Sequence, residues 1–267
     1  MPIYFKGDRM EEKFLLKQDQ LNIPCKLTLP DSGPIRRVIL GVHGFGGSMA
    51  DDIQVSIAEE MEMFGAATLQ FDFPCHGESP MDADSFTLHN CMNTLLTAAS
   101  YAKERFEAVE DLCIFATGFG AYVTLICLHD LLEMPGGIRL VVQTPSVRMA
   151  DTLLAMISKS AQTLRAEDRF TVPSERPFDV TYSFYKELQK HVALDSYPIP
   201  MLILQGEDDR FIRMEDIQNF HRINEASKLV IIPGASHRFL EPGAWDMVLD
   251  LTRDWFEFQQ VLLSDWM

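Results

Sequence analysis

An aspartate pair and a histidine in the last quarter of the chain are of the types that can move a proton during catalysis. Asp208 and Asp209 lie in the segment QGEDDRFI (residues 205–212), and His237 ends the segment GASH (residues 234–237). A carboxylate that orients a histidine makes the imidazole a general base, which can take a proton from a hydroxyl nucleophile. This chemistry requires a nucleophile within reach of the histidine.

The turn in which such a nucleophile would lie is at residues 116–120 (ATGFG), between an apolar run typical of a strand and one typical of a helix. A nucleophile elbow reads G-x-S-x-G, because small residues two positions before and two after the nucleophile allow the strand to turn sharply into the helix. The segment meets that requirement when Gly118 is central. Placing Thr117 at the centre would put Phe115 and Phe119 at the small-residue positions. We therefore predict that Gly118 occupies the nucleophile position, where it supplies no hydroxyl.

Two further turns precede this segment. HGFGG (residues 43–47) follows one apolar run, and FDFPCHGES (residues 71–79) ends the next. The order and spacing of all these segments resemble those of the α/β-hydrolase superfamily, which has an H-G-x-x loop, a D-x-x-G-H-G-x-S turn, the elbow, and endings of the form G-x-x-D-x-x-V and G-x-x-H.

The resemblance implies a role for each position. Asp209 matches the acid, with Asp208 as the second choice, and His237 matches the base. The backbone N–H groups of Phe45 and Phe119 would form the oxyanion hole, which stabilises the negative charge that develops on a carbonyl oxygen under attack. Gly118 stands where the superfamily has its serine.

The H-G-F loop, the F-D-F-x-x-H-G-x-S turn and a cap insertion are most similar to those of bacterial cinnamoyl and feruloyl esterases. Monoacylglycerol-lipase-like and serine-aminopeptidase-like members are close alternatives. The resemblance implies a serine carboxylic-ester hydrolase that acts on small acyl, aryl or hydroxycinnamoyl esters and needs no cofactor and no metal. Besides Gly118, the chain departs from the pattern at Cys75, where glycine is usual.

The elements that must position these turns alternate between short apolar runs and amphipathic helical stretches. That alternation predicts an α/β fold with a mostly parallel sheet. We predict the α/β-hydrolase fold, with eight strands flanked by helices. The strands are predicted at residues 12–17, 23–29, 37–42, 66–71, 112–116, 140–143, 201–205 and 229–232, and the helices at 51–64, 90–106, 119–132, 214–224 and 244–263.

The rhythm breaks between Pro145 and Pro198, a stretch too long for an ordinary connection. We predict that residues 146–198 form a cap, with a helix near residues 150–164, and that residues 1–145 and 199–267 form the core domain. The cap carries five aromatic residues that could line a substrate pocket or could equally pack the cap against the core, namely Phe170, Phe178, Tyr182, Phe184 and Tyr185.

Composition limits the partners and the compartment. Acidic residues outnumber basic ones 39 to 23, giving a net charge of -16 that repels nucleic acid and anionic membranes. The five cysteines form no C-x-x-C pair, which favours free thiols. The first twenty residues contain no apolar stretch typical of a signal peptide. We therefore expect a cytoplasmic protein whose partner is a small-molecule ester or a related apolar ligand.

Gly118 divides the functional hypotheses. Without a hydroxyl no acyl-enzyme can form, so we predict an esterase-lineage protein that is inactive or nearly inactive as it stands. The alternative is a non-catalytic ligand-binding pseudoenzyme on the same fold. A natural pseudoenzyme and a variant made inactive to trap substrate fit the glycine equally well, whereas direct activation of water by Asp209 and His237 fits it less well.

Overall fold

A computed structural model of the chain describes residues 3–5, 10–174 and 176–259, and one large sheet forms the centre of the fold. Nine strands make up this sheet: β1 (Ile3–Phe5), β2 (Met10–Gln18), β3 (Leu21–Leu29), β4 (Arg37–Val42), β5 (Ala66–Phe71), β6 (Asp111–Thr117), β7 (Gly137–Gln143), β10 (Met201–Gly206) and β11 (Ser227–Ile232). The eight predicted strands are all present. The short strand β1 adds to them at one edge.

The strand order is β1-β2-β3-β5-β4-β6-β7-β10-β11. The six strands from β5 to β11 in this order run parallel, whereas β1, β2 and β3 pair antiparallel and β3 joins β5 antiparallel. The carboxyl ends of the parallel strands therefore meet at one edge, where ligands bind in open α/β sheets. All the predicted catalytic turns follow these ends.

Burial on both faces explains why the central strands read as continuous apolar runs. Ile114 and Leu140 belong to the apolar cluster on one face of the sheet, whereas Phe115 and Val141 belong to the cluster on the other face. Because successive side chains of a strand point to opposite faces, a strand covered on both sides has no polar face to reveal an alternating pattern.

Nine α-helices flank the sheet or lie in the insertion: α1 (Asp52–Glu62), α2 (Leu88–Arg105), α3 (Gly118–Ile126), α4 (Leu128–Glu133), α5 (Met149–Ile157), α6 (Ala161–Glu167), α7 (Tyr182–Lys190), α8 (Met214–Ile223) and α9 (Ala244–Phe258), all within the described ranges. The helix predicted over residues 119–132 is divided at Cys127, which leaves the helical backbone conformation at φ -90° and ψ 0°. The last helix is predicted over residues 244–263 and is present as α9, but residues 260–263 lie outside the described part of the chain.

The stretch between β7 and β10 carries α5, α6, α7 and a hairpin that the sequence did not predict. The hairpin pairs β8 (Arg169–Val172) with β9 (Phe178–Thr181). The helix predicted near residues 150–164 is two helices, because Ser158 adopts a left-handed conformation with φ +53° that ends α5. In the ranges that the structure covers, no helix is both long enough and apolar enough to cross a bilayer.

Candidate active site

Gly118 lies at the junction between β6 and α3, as the elbow pattern predicts. Its φ is +49°, in the left-handed region that residues other than glycine adopt only with backbone strain. Gly120 is required for a different reason: a Cβ atom there would lie 2.3 Å from the carbonyl oxygen of His43 and 2.8 Å from that of Val42. The small residue after the turn therefore allows α3 to pass close to β4.

His237 and Asp209 form the hydrogen-bonded pair that the sequence predicts. Nδ1 of His237 lies 2.8 Å from Oδ2 of Asp209. The other carboxylate oxygen accepts hydrogen bonds from the backbone N–H groups of Phe211 and Ile212, at 2.8 and 3.0 Å. Burial acts to raise the pKa of Asp209, but the hydrogen bond and charge of His237 and the two N–H groups together bring that pKa below its ordinary value. Asp209 therefore remains a carboxylate that can orient the imidazole.

The neighbouring Asp208, the second choice for the acid, makes no side-chain hydrogen bond to His237. Its residue is exposed, whereas the side chain of Asp209 is 1% exposed. The backbone N–H of Asp208 bonds to the carbonyl oxygen of Ala235, which joins the aspartate loop to the histidine loop.

Two buried histidines hold the glycine-rich loop that contains Phe45. Nε2 of His76 accepts a hydrogen bond from the N–H of Gly46 at 3.0 Å, and Nε2 of His43 accepts one from the N–H of Phe73 at 3.1 Å. Both rings accept at Nε2 and are therefore neutral. Burial lowers the pKa of His43 to about 4 and that of His76 to about 3.

Asp72 also connects the two turns that precede the elbow. Its two carboxylate oxygens accept hydrogen bonds at 2.7 Å from the N–H groups of Met49 and Glu78. A Cβ atom on Gly77 would lie 2.2 Å from this carboxylate, so the H-G step of the motif needs its glycine. Burial raises the pKa of Asp72 to about 6, and the two N–H groups oppose that shift.

This network leaves free the two backbone groups predicted to form the oxyanion hole. Among the described residues, no hydrogen bond uses the N–H of Phe45 or of Phe119. Phe119 lies in the first turn of α3, where backbone N–H groups have no partner within the helix. The loop crosses close to the elbow, since Cα of Gly44 is 3.9 Å from the position of a Cβ atom on Gly118.

A cavity of about 240 Å³ opens above Gly118 and includes His237 in its lining. Phe45 and Phe119 also line it, but none of the five cap aromatic residues predicted for a substrate pocket does so. Besides the loop and elbow residues, its walls comprise Asp51, Asp52, Ile53, Gln143, Thr144, Ser146, Met149, Thr152, Met156, Pro173, Ser174, Arg176, Phe211, Arg238, Leu240 and Trp245.

Of the two alternatives left open for these five residues, the contacts favour packing of the insertion against the core over lining of the pocket. Phe178 packs against Phe45 with ring centroids 4.7 Å apart, and Phe184 packs against Phe86 at 4.5 Å. Such contacts bury a large apolar area, so these aromatic side chains stabilise the packing of the insertion against the core and do not face an open cleft.

The other three of these aromatic residues, Phe170, Tyr182 and Tyr185, also lie outside the lining of the cavity. Phe170 and Tyr185 are 4% and 3% exposed, and Tyr182, which is partly exposed, packs against Tyr185.

Sequence reasoning missed several residues of the cavity wall. Phe211, whose ring packs edge-on against His237 at 5.3 Å, lies two residues after Asp209 and could have been found from that spacing. Gln143 and Trp245 carry no comparable local signal. Among the residues that the structure describes, no group of three or more His, Cys, Asp or Glu side chains is arranged to hold a metal ion.

Comparisons with known proteins place this geometry in a fold class. No protein-family model matches the chain. Two curated relatives, both putative phosphoribosyl transferases of Mycobacterium tuberculosis, are 23% identical over 231 residues, which is 86% of this chain and 42% of theirs. The chain thus spans less than half the length of the curated relatives it matches.

Solved structures are similar over nearly the whole chain. Est1E of Butyrivibrio proteoclasticus with bound ferulic acid is 20% identical, with a TM-score of 0.76 and coverage of 92% of this chain and 98% of that one. A putative hydrolase of Agrobacterium vitis S4 is 17% identical, with a TM-score of 0.77 and the same coverage. Mouse α/β hydrolase domain-containing protein 10 is 18% identical, with a TM-score of 0.74 and coverage of 93% and 100%. The chain has the α/β-hydrolase fold.

Proposed function

We propose that the chain is an α/β hydrolase of the carboxylic-esterase lineage that binds a small acyl or aryl ester but has lost the covalent step. One observation carries the proposal. A Cβ atom on Gly118 would lie 3.8 Å from Nε2 of His237 and 3.9 Å from Cα of Gly44, with no closer contact. The site therefore has room for a serine side chain, and His237 could accept its proton.

The rest of the mechanism would follow from the surrounding groups. A serine hydroxyl at this position would attack the ester carbonyl while Nε2 of His237 takes its proton and Asp209 keeps the ring oriented through Nδ1. The N–H groups of Phe45 and Phe119 would stabilise the oxyanion. With glycine, binding can occur but no acyl-enzyme can form, and in related triads the loss of the nucleophile costs about a million-fold in kcat.

The test is the substitution Gly118→Ser, assayed with p-nitrophenyl acetate, p-nitrophenyl butyrate and methyl hydroxycinnamates. We expect hydrolysis at least about a hundred-fold faster than that of the unmodified chain, since a triad acts as a unit. Gly118→Ala is the matched control, because it adds the same Cβ atom without a hydroxyl. The double variant Gly118→Ser/His237→Ala should return to background.

Failure of well-folded Gly118→Ser to exceed Gly118→Ala would refute the esterase lineage as the useful description. It would favour the second candidate, a ligand-binding protein without catalytic function, which the glycine itself supports. Rapid hydrolysis by the unmodified chain would contradict both and would point to water activated by His237.

We also propose that the partner is a small-molecule ester or a related apolar ligand and that the protein is cytoplasmic. The cavity above Gly118, of about 240 Å³, supports a ligand of small-molecule size. All five cysteines are free thiols, and Cys25, Cys91, Cys113 and Cys127 are buried, which fits a reducing cytoplasm. We also retain residues 146–198 as a cap and the surrounding residues as the core.

A further inference from the structure

Gln143 lies beside the elbow and does not take part in the proposed ester chemistry. It ends β7, and its Cα is paired in register with that of Thr117 on β6. Paired residues of neighbouring strands point to the same face, so the two side chains lie next to each other and one residue away from Gly118. Gln143 lines the cavity although the residue is only 4% exposed.

The side-chain amide of Gln143 lacks a hydrogen-bond partner in the described part of the chain. Its Oε1 atom is completely enclosed and has no partner. No hydrogen bond involves its Nε2 atom either. Buried amides in native proteins almost always find partners. Gln143 differs from the other glutamines with unpartnered amide atoms, such as Gln54, in that it lines the cavity, where a ligand can supply the missing partner.

Two hydroxyl side chains adjoin this amide along the chain and line the same cavity. Thr144 is 2% exposed and Ser146 is 3% exposed, and neither hydroxyl makes a hydrogen bond within the described ranges. Their backbones are fixed: the N–H of Thr144 bonds to Leu204 at 2.8 Å, and that of Ser146 bonds to Gly118 at 3.4 Å. Thr144 also has a φ of +44°, which is a strained conformation for a β-branched residue and is typical of functional sites.

The chemistry of these groups selects a class of ligand. An amide both donates and accepts, and a primary carboxamide is its complement in either orientation of the glutamine side chain. Hydroxyl groups can adapt to either role. None of the three side chains is charged, and Arg176, on the cavity wall, is already engaged with Asp51 and Ser48.

We propose that Gln143, Thr144 and Ser146 form a hydrogen-bonding subsite that selects esters carrying a neutral carboxamide a few bonds from the ester carbonyl. The short distance follows from the spacing of neighbouring strands, about 4.8 Å. This inference deepens the proposed function, since it rests on the cavity at Gly118 being the ligand site.

The experiment measures binding to the unmodified chain by ligand-observed NMR titration, which also reports whether each ester stays intact. The probes are four methyl esters of the same length: methyl succinamate with an amide end, methyl levulinate with a ketone end, methyl 4-methylpentanoate with a hydrocarbon end, and monomethyl succinate with a charged end. We expect the amide to bind about tenfold more tightly than the hydrocarbon, with the ketone between them and the charged ester weakest.

Gln143→Leu and Gln143→Met keep the size of the side chain and should abolish the preference for the amide. Gln54→Leu is the matched control, because Gln54 is 1% exposed, has an unpartnered amide and does not line the cavity. It should leave the preference unchanged. Should one Gln143 variant fail to fold, the other variant and the ligand series on the unmodified chain still decide the question.

The proposal is overturned if methyl succinamate binds no more tightly than methyl 4-methylpentanoate, or does not bind. It is also overturned if monomethyl succinate binds best, or if the amide preference survives loss of the glutamine amide. These results are separable from those of Gly118→Ser. An inactive serine variant with an intact amide preference would refute the esterase lineage alone, whereas an active one without the preference would refute only the subsite.

Discussion

Nε2 of His237 lies 3.8 Å from the position that a Cβ atom on Gly118 would occupy, so the imidazole faces the central position of the elbow, where no side chain is present. The other ring nitrogen of His237 is 2.8 Å from Asp209. The histidine is thus held on one side and open on the other. This is the arrangement required of a base that must receive a proton.

The two glycines of the elbow should respond very differently to the same substitution. Gly118→Ala has space for its methyl group and should lower the free energy of unfolding by about 1–3 kcal/mol, through backbone strain alone. Gly120→Ala would bring Cβ to 2.3 Å from the carbonyl oxygen of His43 and 2.8 Å from that of Val42 at the end of β4, and should cost more than about 3 kcal/mol or prevent folding. Chemical denaturation of both variants measures the difference. Equal costs would contradict the described packing of α3 against β4.

Asp209 should be essential to any activity gained at residue 118. In the Gly118→Ser background, Asp209→Asn should lower kcat by about a thousand-fold or more, because an asparagine cannot hold His237 in the required tautomer or stabilise the imidazolium. Asp208→Asn is the control and should change kcat less than about threefold, since that side chain points to solvent. Steady-state hydrolysis of p-nitrophenyl butyrate checks both. A greater loss with Asp208→Asn would reassign the acid.

Asp72 should make stability fall as the pH rises through weakly acidic values. Its pKa is about 6 in the folded chain and is taken as 3.8 unfolded, so between these values the folded state binds more protons. Stability from this group is therefore present below about pH 4 and lost as the pH rises to 6, by at most about 3 kcal/mol at 1.36 kcal/mol per unit.

The comparison with Asp72→Asn isolates this effect, because the asparagine does not titrate. Measured by denaturation between pH 4 and pH 7, the unmodified chain should lose stability relative to the variant as the pH rises. A carboxyl titration followed by ¹³C NMR should give the pKa directly. A relative gain in stability over this range would show that the N–H groups of Met49 and Glu78 outweigh burial.

Alanine substitutions of Phe184 and Tyr182 should destabilise the chain to different extents, because only Phe184 is fully buried between the insertion and the core. Phe184 is 1% exposed between the insertion and the core, so Phe184→Ala should destabilise the chain by about 3–5 kcal/mol. Tyr182 is partly exposed, and Tyr182→Ala should cost less than about 1.5 kcal/mol. Thermal or chemical denaturation of the pair provides the measurement. If Phe184→Ala left the free energy of unfolding nearly unchanged, this result would contradict the described packing of the insertion against the core.

Sequence reasoning succeeded where a motif depends on local backbone geometry. The register of the elbow followed from the small residues on either side of Gly118, and the two turns before it followed from the resemblance of HGFGG and FDFPCHGES to the loops of the α/β-hydrolase superfamily. The eight predicted strands followed from apolar runs, because burial on both faces leaves a continuous apolar pattern.

It failed where the outcome depends on which surfaces meet in three dimensions. An aromatic residue such as Phe178 has the same local pattern whether it faces a ligand or the ring of Phe45. Gln143 is a single polar residue at the end of an apolar strand, and only its register with Thr117 places it beside the elbow. The division of the predicted helix at Cys127 likewise has no glycine or proline to announce it.

The positive φ at Gly118 has an evolutionary consequence. Glycine adopts this conformation without strain, so the turn does not need a functional side chain in order to persist. In the genetic code, half of the glycine codons become serine codons through a single base change. As long as His237 and Asp209 stay paired, a lineage carrying this turn remains one or two base changes away from a nucleophile, and the absence of a hydroxyl is a readily reversible state.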